Sequence, residues 1–232
     1  MIILFSGTPG SGKSLHAASC IYDTLNGTDR AVCANFRINP NICGSKNFYY
    51  FDNERLTPDL LMRFSAWWYD KHKFTENGIL LVIDEAQLLF NCRDSIGSKM
   101  DTQKRLAWVA FMSQHRKYGY RVILVSQADR FLDKQFRFLL EQECQHRNLS
   151  NMGFKGTVLR AFFLGGSYLA TWRYYGVSQI ISQEIVRGNK KLFALYDSYG
   201  TFAREQIKKD AAKEAAPVFY HEQPTQPLPR VV

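Results

Sequence analysis

The stretch GTPGSGKS, residues 7–14, decides the fold of this chain. It fits the pattern G-x-x-x-x-G-K-[ST], a loop whose backbone N–H groups surround a bound phosphate. The apolar run IILF at 2–5 precedes the loop, and a predicted helix over 14–25 follows it. A strand before the loop and a helix after it are the context that the pattern requires. We therefore predict a nucleoside triphosphate site at the first turn of the chain.

Each part of the loop has a physical role in that prediction. The glycines let the backbone turn its N–H groups inward, and the helix N-terminus adds partial positive charge. We expect Lys13 to reach the β- and γ-phosphates and the Ser14 hydroxyl to hold Mg²⁺. The predicted nucleotide-binding residues are Gly7, Thr8, Pro9, Gly10, Ser11, Gly12, Lys13, Ser14 and Leu15. Taken alone, the stretch is also compatible with a Gly-Pro turn that carries a solvated lysine.

Two adjacent acids supply the second half of the predicted site. Asp84 and Glu85 directly follow the apolar run ILLVI at 79–83, which suits a strand covered on both faces. An acid at the end of such a strand supports Mg²⁺, so we assign Asp84 to the metal beside Ser14. We expect Glu85 to orient and polarise the attacking water. The competing interpretation is that both acids cap a short helix at 86–90.

Two further residues are candidates for catalysis. Gln127 follows the apolar run VILV at 122–125, where it would contact the γ-phosphate or the lytic water; the alternative is a solvated strand end. Arg116 lies in the basic segment QHRK at 114–117, and we predict that it is an arginine finger for a neighbouring subunit's nucleotide. Compensation of a helix dipole is the competing explanation for that segment.

Composition and charge bound the class of protein. The chain has 232 residues, of which 46% are apolar, enough for one large α/β domain. Its 30 basic and 21 acidic side chains leave a formal charge of +9, which favours nucleotide, nucleic acid or acidic lipid as a partner. The five cysteines are scattered, and neither they nor the histidines have metal-ligand spacing. We therefore expect reduced thiols, ordinary polar histidines and no zinc site.

The order of predicted elements indicates the fold class. Helix-capping residues predict helices that begin at Thr57-Pro58 and Asp101. The other predicted strands lie at 31–36, 48–51 and 121–126, and the second of these helices covers 102–118. Strands that alternate with helices predict an α/β P-loop NTPase, with a mostly parallel central sheet flanked by helices.

Apolar residues recur at helical spacing after Thr57, at Leu60, Leu61, Phe64, Trp67 and Trp68. This spacing indicates the face of a helix that packs on the core. An aromatic platform that stacks nucleic-acid bases is the alternative.

The C-terminal third departs from the α/β alternation. Gly165-Gly166 separates runs at 157–164 and 167–175, which predicts an antiparallel hairpin. Four of the seven prolines fall in the last sixteen residues, and basic residues cluster before them, from Arg187 to Lys213. We predict an ATPase domain over 1–202 and a basic, proline-rich, membrane-proximal linker or tail over 203–232.

No segment indicates export or membrane insertion. The first strand begins at residue 2, and no run approaches the ~18 apolar residues of a membrane helix. We expect this chain to be soluble and cytoplasmic.

Four stretches together resemble the zonula occludens toxin-like family, which includes the inner-membrane assembly ATPases of filamentous phages. They are the phosphate loop, LLVIDEAQ at 80–87, QHRKYGYRVILVSQ at 114–127 and LYDSYGTF at 195–202. The resemblance covers about residues 2–202, and its last two stretches are the more family-like parts.

The resemblance implies an ATP hydrolase that uses Mg²⁺ on the cytoplasmic face of the bacterial inner membrane. It also implies a membrane span and a periplasmic segment, which this chain lacks, so we expect a cytoplasmic fragment. The family extrudes phage while coat subunits replace the packaging protein on single-stranded DNA. Carried across, residues 7–14 bind phosphate, Asp84 and Glu85 serve metal and water, and Gln127 is the sensor. Arg116 matches the family's His-Arg segment.

We expect the ATPase to work as a homo-oligomeric ring, with six the expected number of subunits. Its expected partners are phage coat and assembly proteins and phage single-stranded DNA. Two alternatives stay open: a DNA-translocating or packaging motor of the same fold, and a nucleotide-dependent assembly scaffold with little turnover.

Overall fold

The computed structural model describes residues 1–43, 47–91, 99–149, 167–177 and 179–196. Its described strands form one sheet in the order β3-β2-β4-β5-β1-β6-β7-β8. Their bounds are β1 Ile2–Ser6, β2 Ala31–Ala34, β3 Phe48–Tyr50, β4 Ile79–Ile83, β5 Tyr120–Val125, β6 Gln142–Asn148, β7 Ser167–Tyr174 and β8 Ile180–Arg187.

The sheet has a parallel part and an antiparallel edge. Neighbouring strands from β3 to β6 pair in parallel, whereas β6 with β7 and β7 with β8 pair antiparallel. Strand β5 lies between β1 and β4, so the segment after β5, which contains Gln127, lies between the phosphate loop and Asp84. All carboxyl ends of the parallel strands meet at one edge, which is where ligands bind in such sheets.

Helices cover both faces of the sheet. Their bounds are α1 Lys13–Gly27, α2 Pro40–Cys43, α3 Pro58–Lys71, α4 Lys99–Gln114, α5 Lys134–Arg137 and α6 Lys190–Leu195. Alternate residues of β1 divide the core: Ile2 and Leu4 pack with α3 and α4, while Ile3 and Phe5 pack with α1 and α6. The predicted class, an α/β sheet that is mostly parallel and flanked by helices, is confirmed.

Helix α3 follows the sequence prediction closely. The Thr57 hydroxyl accepts a hydrogen bond from the N–H of Leu60 at 3.2 Å, a cap worth about 1 kcal/mol. Leu61, Phe64 and Trp68 are buried in the core. The interpretation of these residues as a core face is therefore confirmed, and they are not available to stack bases.

Other boundaries differ from the predictions. Helix α4 begins at Lys99 and ends at Gln114, so Asp101 lies inside it and is not its cap. A short 3-10 turn, Ala86–Leu88, stands where a helix at 86–90 was considered. Strand β7 confirms the predicted run at 167–175, while the run at 157–164 and the Gly165-Gly166 turn lie outside the described residues.

Two strands, β6 and β8, were not predicted. Strand β6 reads QECQHRN and has no apolar alternation, so no sequence pattern indicates a strand there. It forms because its neighbours β1 and β7 supply backbone hydrogen bonds. Strand β8 is mostly exposed and pairs with β7 at the edge of the sheet. Within the described ranges, no helix has both the length and the apolar character needed to cross a bilayer.

Candidate active site

The candidate site lies where the parallel strands β1, β4 and β5 end. Gly7 directly follows β1 and Asp84 directly follows β4. The N–H of Gly7 donates to the backbone carbonyl of Gln127 at 3.2 Å, which ties the loop to the end of β5. Since the ends of parallel strands share one edge, three segments distant in sequence become neighbours.

Two glycines of the loop are required by close packing and backbone conformation. Gly12 has a φ of 94°, and a Cβ atom there would lie 2.4 Å from the Tyr168 ring of β7. Gly7 has a φ of 142°, and its Cβ atom would lie 2.4 Å from the backbone carbonyl oxygen of His146. Any side chain at either position would push the loop away from β6 and β7.

The loop presents polar groups that a phosphate could use. Helix α1 begins after Gly12 with no side-chain cap and no acid in its first turn, so its first N–H groups keep their capacity for an anion. The Ser11 hydroxyl is buried and has no hydrogen-bond partner among the described residues. An orphaned hydroxyl inside the loop and an uncapped helix start both fit an anionic ligand.

Lys13 is folded back onto its own loop. Its Nζ atom donates to the carbonyl oxygens of Gly7 at 2.7 Å and Thr8 at 3.0 Å. Burial lowers the pKa of Lys13, and the nearby carboxylates of Glu85 and Asp84 oppose that effect. A triphosphate in the loop would give this half-buried ammonium a stronger partner than two carbonyls.

Ser14 and Asp84 are brought together across 70 positions of sequence. The Ser14 hydroxyl donates to Oδ2 of Asp84 at 3.4 Å, and the Tyr196 hydroxyl donates to the same oxygen at 2.5 Å. A hydroxyl and a carboxylate oxygen are the hard oxygen ligands that Mg²⁺ prefers. Burial and the adjacent Asp84 raise the pKa of Tyr196, so that phenol remains a donor.

Asn35 holds the backbone of Asp84. Its Oδ1 atom accepts from the N–H of Asp84 at 2.7 Å, and its Nδ2 atom donates to the carbonyl of Asp84 at 2.8 Å. The same amide also donates to Oδ1 of Asn53 at 2.8 Å. Because Asn35 directly follows β2, neighbouring strand ends position the acid.

Glu85 has a strained backbone. Its φ of 50° and ψ of 47° lie in the left-handed region, which costs a residue with a side chain about 1 kcal/mol. Its side chain is exposed, and its carboxylate accepts a hydrogen bond from the Gln87 amide. The turn thus holds a solvent-accessible carboxylate next to Asp84, where a water nucleophile could be oriented.

Arg116 is not in this cluster. Its guanidinium pairs with the carboxylate of Glu141, which also accepts from the N–H of Ile2 at 3.0 Å. Ile2 starts β1, so Arg116 lies at the amino-terminal edge, about one strand length or ~16 Å from the loop. Any contact between Arg116 and a nucleotide therefore requires a second subunit.

Sequence reasoning missed three residues of the site: Asn35, Tyr168 and Tyr196. Asn35 carries the signal that identified Asp84, a polar residue directly after a buried strand. Tyr196 lies in the stretch 195–202 that contributed to the family resemblance. No sequence signal identifies Tyr168, because its contact with Gly12 depends on the pairing of β6 with β7.

Comparisons with known proteins agree with this description. The family described as Zonular occludens toxin (Zot) matches residues 1–203. The N-terminal domain of zonular occludens toxin from Neisseria meningitidis is similar, with a TM-score of 0.51 and 22% identity over 84% of this chain and 98% of that chain. That similarity establishes the fold.

Two weaker structural similarities involve viral proteins. The DNA-packaging ATPase B204 from Sulfolobus turreted icosahedral virus has a TM-score of 0.49 and 14% identity, over 79% of this chain and 95% of that chain. The packaging NTPase B204 from Sulfolobus turreted icosahedral virus 2, in complex with ATP-gammaS, has a TM-score of 0.48, 14% identity and the same coverage. No curated protein matches the sequence.

Replacement of Asn35 tests whether it positions the acid. We expect Asn35→Ala to lower the free energy of unfolding by about 1–3 kcal/mol, because it leaves the N–H and carbonyl of Asp84 without partners. Affinity for Mg²⁺·ATP should fall as well. Urea denaturation and nucleotide titration measure both effects, with the exposed Asn26→Ala as the control. Unchanged values for Asn35→Ala would show that Asp84 needs no such support.

Replacement of Glu85 by glycine tests the backbone strain. Glycine adopts left-handed conformations freely, so Glu85→Gly should keep or raise the free energy of unfolding, by up to about 1 kcal/mol. The control Glu54→Gly, in an exposed turn, should lower it by about 0.5–1 kcal/mol. Thermal and urea denaturation give the comparison. Equal losses in both variants would mean that Glu85 is unstrained.

Proposed function

The chain belongs to the Zonular occludens toxin (Zot) family, and we propose that it is an ATP hydrolase that powers filamentous phage assembly and extrusion through the bacterial envelope. It would act at the cytoplasmic face of the inner membrane. Residues 1–202 would form the ATPase domain, with 203–232 as a basic linker toward a span outside this chain.

One observation carries the proposal: Lys13, Ser14, Asp84 and Glu85 converge at the carboxyl edge of the sheet. Ser14 and Asp84 are joined by a hydrogen bond of 3.4 Å, and Lys13 is close enough to both acids for them to affect its pKa. A lysine, a hydroxyl and two acids around an anion-binding loop are the groups that phosphoryl transfer to water requires.

Each residue has a definite role in this proposal. Backbone N–H groups of residues 7–15 bind the phosphates, and the Lys13 ammonium leaves its two carbonyl partners to contact the β- and γ-phosphates. Ser14 and Asp84 would hold Mg²⁺, which supplies charge neutralisation at the phosphate oxygens. Glu85 orients the attacking water and accepts its proton, and Gln127 contacts that water or the γ-phosphate from the end of β5.

The proposed assembly is a ring of identical subunits in which Arg116 completes a neighbour's site. Arg116 cannot reach its own loop, because it lies at the opposite edge of the sheet. The Arg116 side chain is 56% exposed, so an adjacent subunit could contact it. The ring would contact phage coat and assembly proteins.

Two other functions each have an observation in their favour. The net charge of +9 favours a motor that translocates DNA. The hydrogen bonds from Ser14 and Tyr196 to Asp84, together with the folded-back Lys13, favour an assembly scaffold that turns over slowly. DNA stimulation of turnover and the absolute rate distinguish these functions from the leading proposal.

Paired substitutions at the loop and the second acid test the hydrolase directly. We expect Lys13→Ala to abolish both ATP binding and turnover, because the β- and γ-phosphates lose their cation. Glu85→Gln should keep binding and lower turnover about 10²–10⁴-fold, because an amide cannot accept the water's proton. Nucleotide titration and phosphate release measure the two quantities.

Glu76→Gln is the matched control for this experiment, because Glu76 is exposed in the segment before β4, at the opposite edge of the sheet. Normal hydrolysis by Glu85→Gln would show that the role assigned to Glu85 is wrong. Turnover that single-stranded DNA stimulates and salt strongly suppresses would favour the DNA motor. Tight binding with negligible turnover in the assembled membrane complex would favour the scaffold.

If Arg116 completes the site of a neighbouring subunit, turnover should depend both on assembly and on Arg116. Turnover per subunit should rise with protein concentration, and Arg116→Ala should lower the assembled rate about 10³–10⁵-fold. Glu141→Gln is the informative control, since it breaks the same ion pair but keeps the arginine. Equal, small effects of the two substitutions would mean that Arg116 is structural.

A further inference from the structure

Three buried side chains from two distant parts of the sequence meet behind the phosphate loop. His16 is in the first turns of α1, and Cys144 and His146 lie on β6. Their relative exposures are 7%, 0% and 1%, and one nitrogen or sulfur atom of each lies within 4.8 Å of the others. We call these residues the HCH cluster.

With both imidazoles neutral, two ring protons must serve three polar contacts of the HCH cluster, one of them with a Glu184 oxygen that also accepts from the Trp172 indole N–H. Nδ1 of His146 is 3.2 Å from the backbone carbonyl of Ser6, which only accepts, so Nδ1 carries the proton and Nε2 is a lone pair. That Nε2 lies 2.8 Å from Nδ1 of His16. The other nitrogen of His16, Nε2, lies 3.5 Å from a carboxylate oxygen of Glu184.

Either neutral tautomer of His16 leaves two acceptors facing each other. A proton on Nδ1 satisfies His146 but turns a lone pair toward the Glu184 carboxylate. A proton on Nε2 satisfies Glu184 but turns a lone pair toward that of His146. Both rings are buried, so bulk water does not supply the hydrogen bond that is missing.

A metal ion between the rings removes the conflict. Both facing lone pairs and the Cys144 sulfur would become ligands, while His16 donates to Glu184 and His146 donates to the Ser6 carbonyl. A carboxylate or a backbone carbonyl on the second ring nitrogen is the usual partner of a metal-ligating histidine. Both partners are already in place.

The distances also fit a zinc ion. Bond lengths of about 2.0 Å to nitrogen and 2.3 Å to sulfur in a tetrahedron put the nitrogens about 3.3 Å apart and each nitrogen about 3.5 Å from the sulfur. Here the nitrogens are 2.8 Å apart, and the Cys144 sulfur is 3.9 Å from Nδ1 of His16 and 3.8 Å from Nε2 of His146. Shifts of about 0.5 Å or less would form the site.

We propose that His16, Cys144 and His146 form a binding site for Zn²⁺ or a similar borderline transition-metal ion. Two imidazoles and a thiolate select such ions over Mg²⁺ or Ca²⁺. The Cys144 thiol loses its proton to solvent when the metal binds, and a water completes the tetrahedron. Phe5 stacks on His16 with a centroid distance of 4.6 Å and shields the ligands.

The site has a structural consequence for the loop. His16 follows Ser14 by two residues, and the carbonyl of His146 packs against Gly7. A metal held by both residues would therefore fix α1 and the phosphate loop against β6. This inference stands apart from the proposed ATPase, because metal binding can be measured without nucleotide.

Cobalt provides a direct test on the full-length, tag-free protein after removal of metals with a chelator. Titration with Co²⁺ should give one equivalent of tight binding and the near-ultraviolet absorption of a cobalt–thiolate bond, which Zn²⁺ then displaces. Zn²⁺ should also raise the thermal midpoint, because it binds only the folded chain. Cys144→Ala should abolish the thiolate absorption, and His146→Gln should weaken binding more than tenfold.

Cys33→Ala is the matched control, since Cys33 is also a fully buried strand cysteine but packs in the other core cluster. It should keep the absorption and the stoichiometry. Circular dichroism checks that each variant folds. If Cys144→Ala does not fold, the cobalt titration of the wild-type protein tests the proposal. Absence of the absorption in the wild type, or its persistence in folded Cys144→Ala, would overturn the proposal.

Discussion

The carboxylate of Asp84 is the group on which the rest of the candidate site depends. Four elements converge on this residue: β4 carries it, Asn35 after β2 holds its backbone, and Ser14 of α1 and Tyr196 after α6 donate to its side chain. Such convergence is possible only because β1, β2 and β4 are parallel and end at the same edge. The sheet is thus the scaffold that converts distant sequence into one oxygen-rich site.

The phosphate loop contacts chemically different groups on its two sides. On the side of β4 and β5 it meets oxygen groups, those of Asp84 and the Gln127 carbonyl. On the side of β6 and β7, the His146 backbone packs against Gly7 and the Tyr168 ring packs against Gly12, and neither position has room for a side chain. The nitrogen and sulfur groups of the HCH cluster lie on that second side, where a hard cation such as Mg²⁺ would find poor ligands. Two chemically distinct sites can therefore exist next to each other.

Sequence patterns predicted the elements whose own residues are apolar or include a recognisable helix cap. The runs at 2–5 and 79–83 are apolar throughout and form β1 and β4, and Thr57 begins α3 as its cap residue indicates. Strand β6 escaped prediction because QECQHRN has no apolar period, and its polar side chains find partners only in the folded sheet. The start of α4 was also misplaced, since Asp101 has the composition of a cap but the helix extends to Lys99.

By itself, the sequence determined the phosphate loop, the two acids and the α/β class, because each depends on a local pattern of glycine, charge or hydrophobicity. Only the tertiary structure decided that Asn35 and Tyr196 support Asp84 and that Arg116 lies at the opposite edge. It also brought His16 to Cys144 and His146 across 128 and 130 positions of sequence. The reason is physical: strand order and register fix which distant side chains meet, and neither is written in the local spacing of residues.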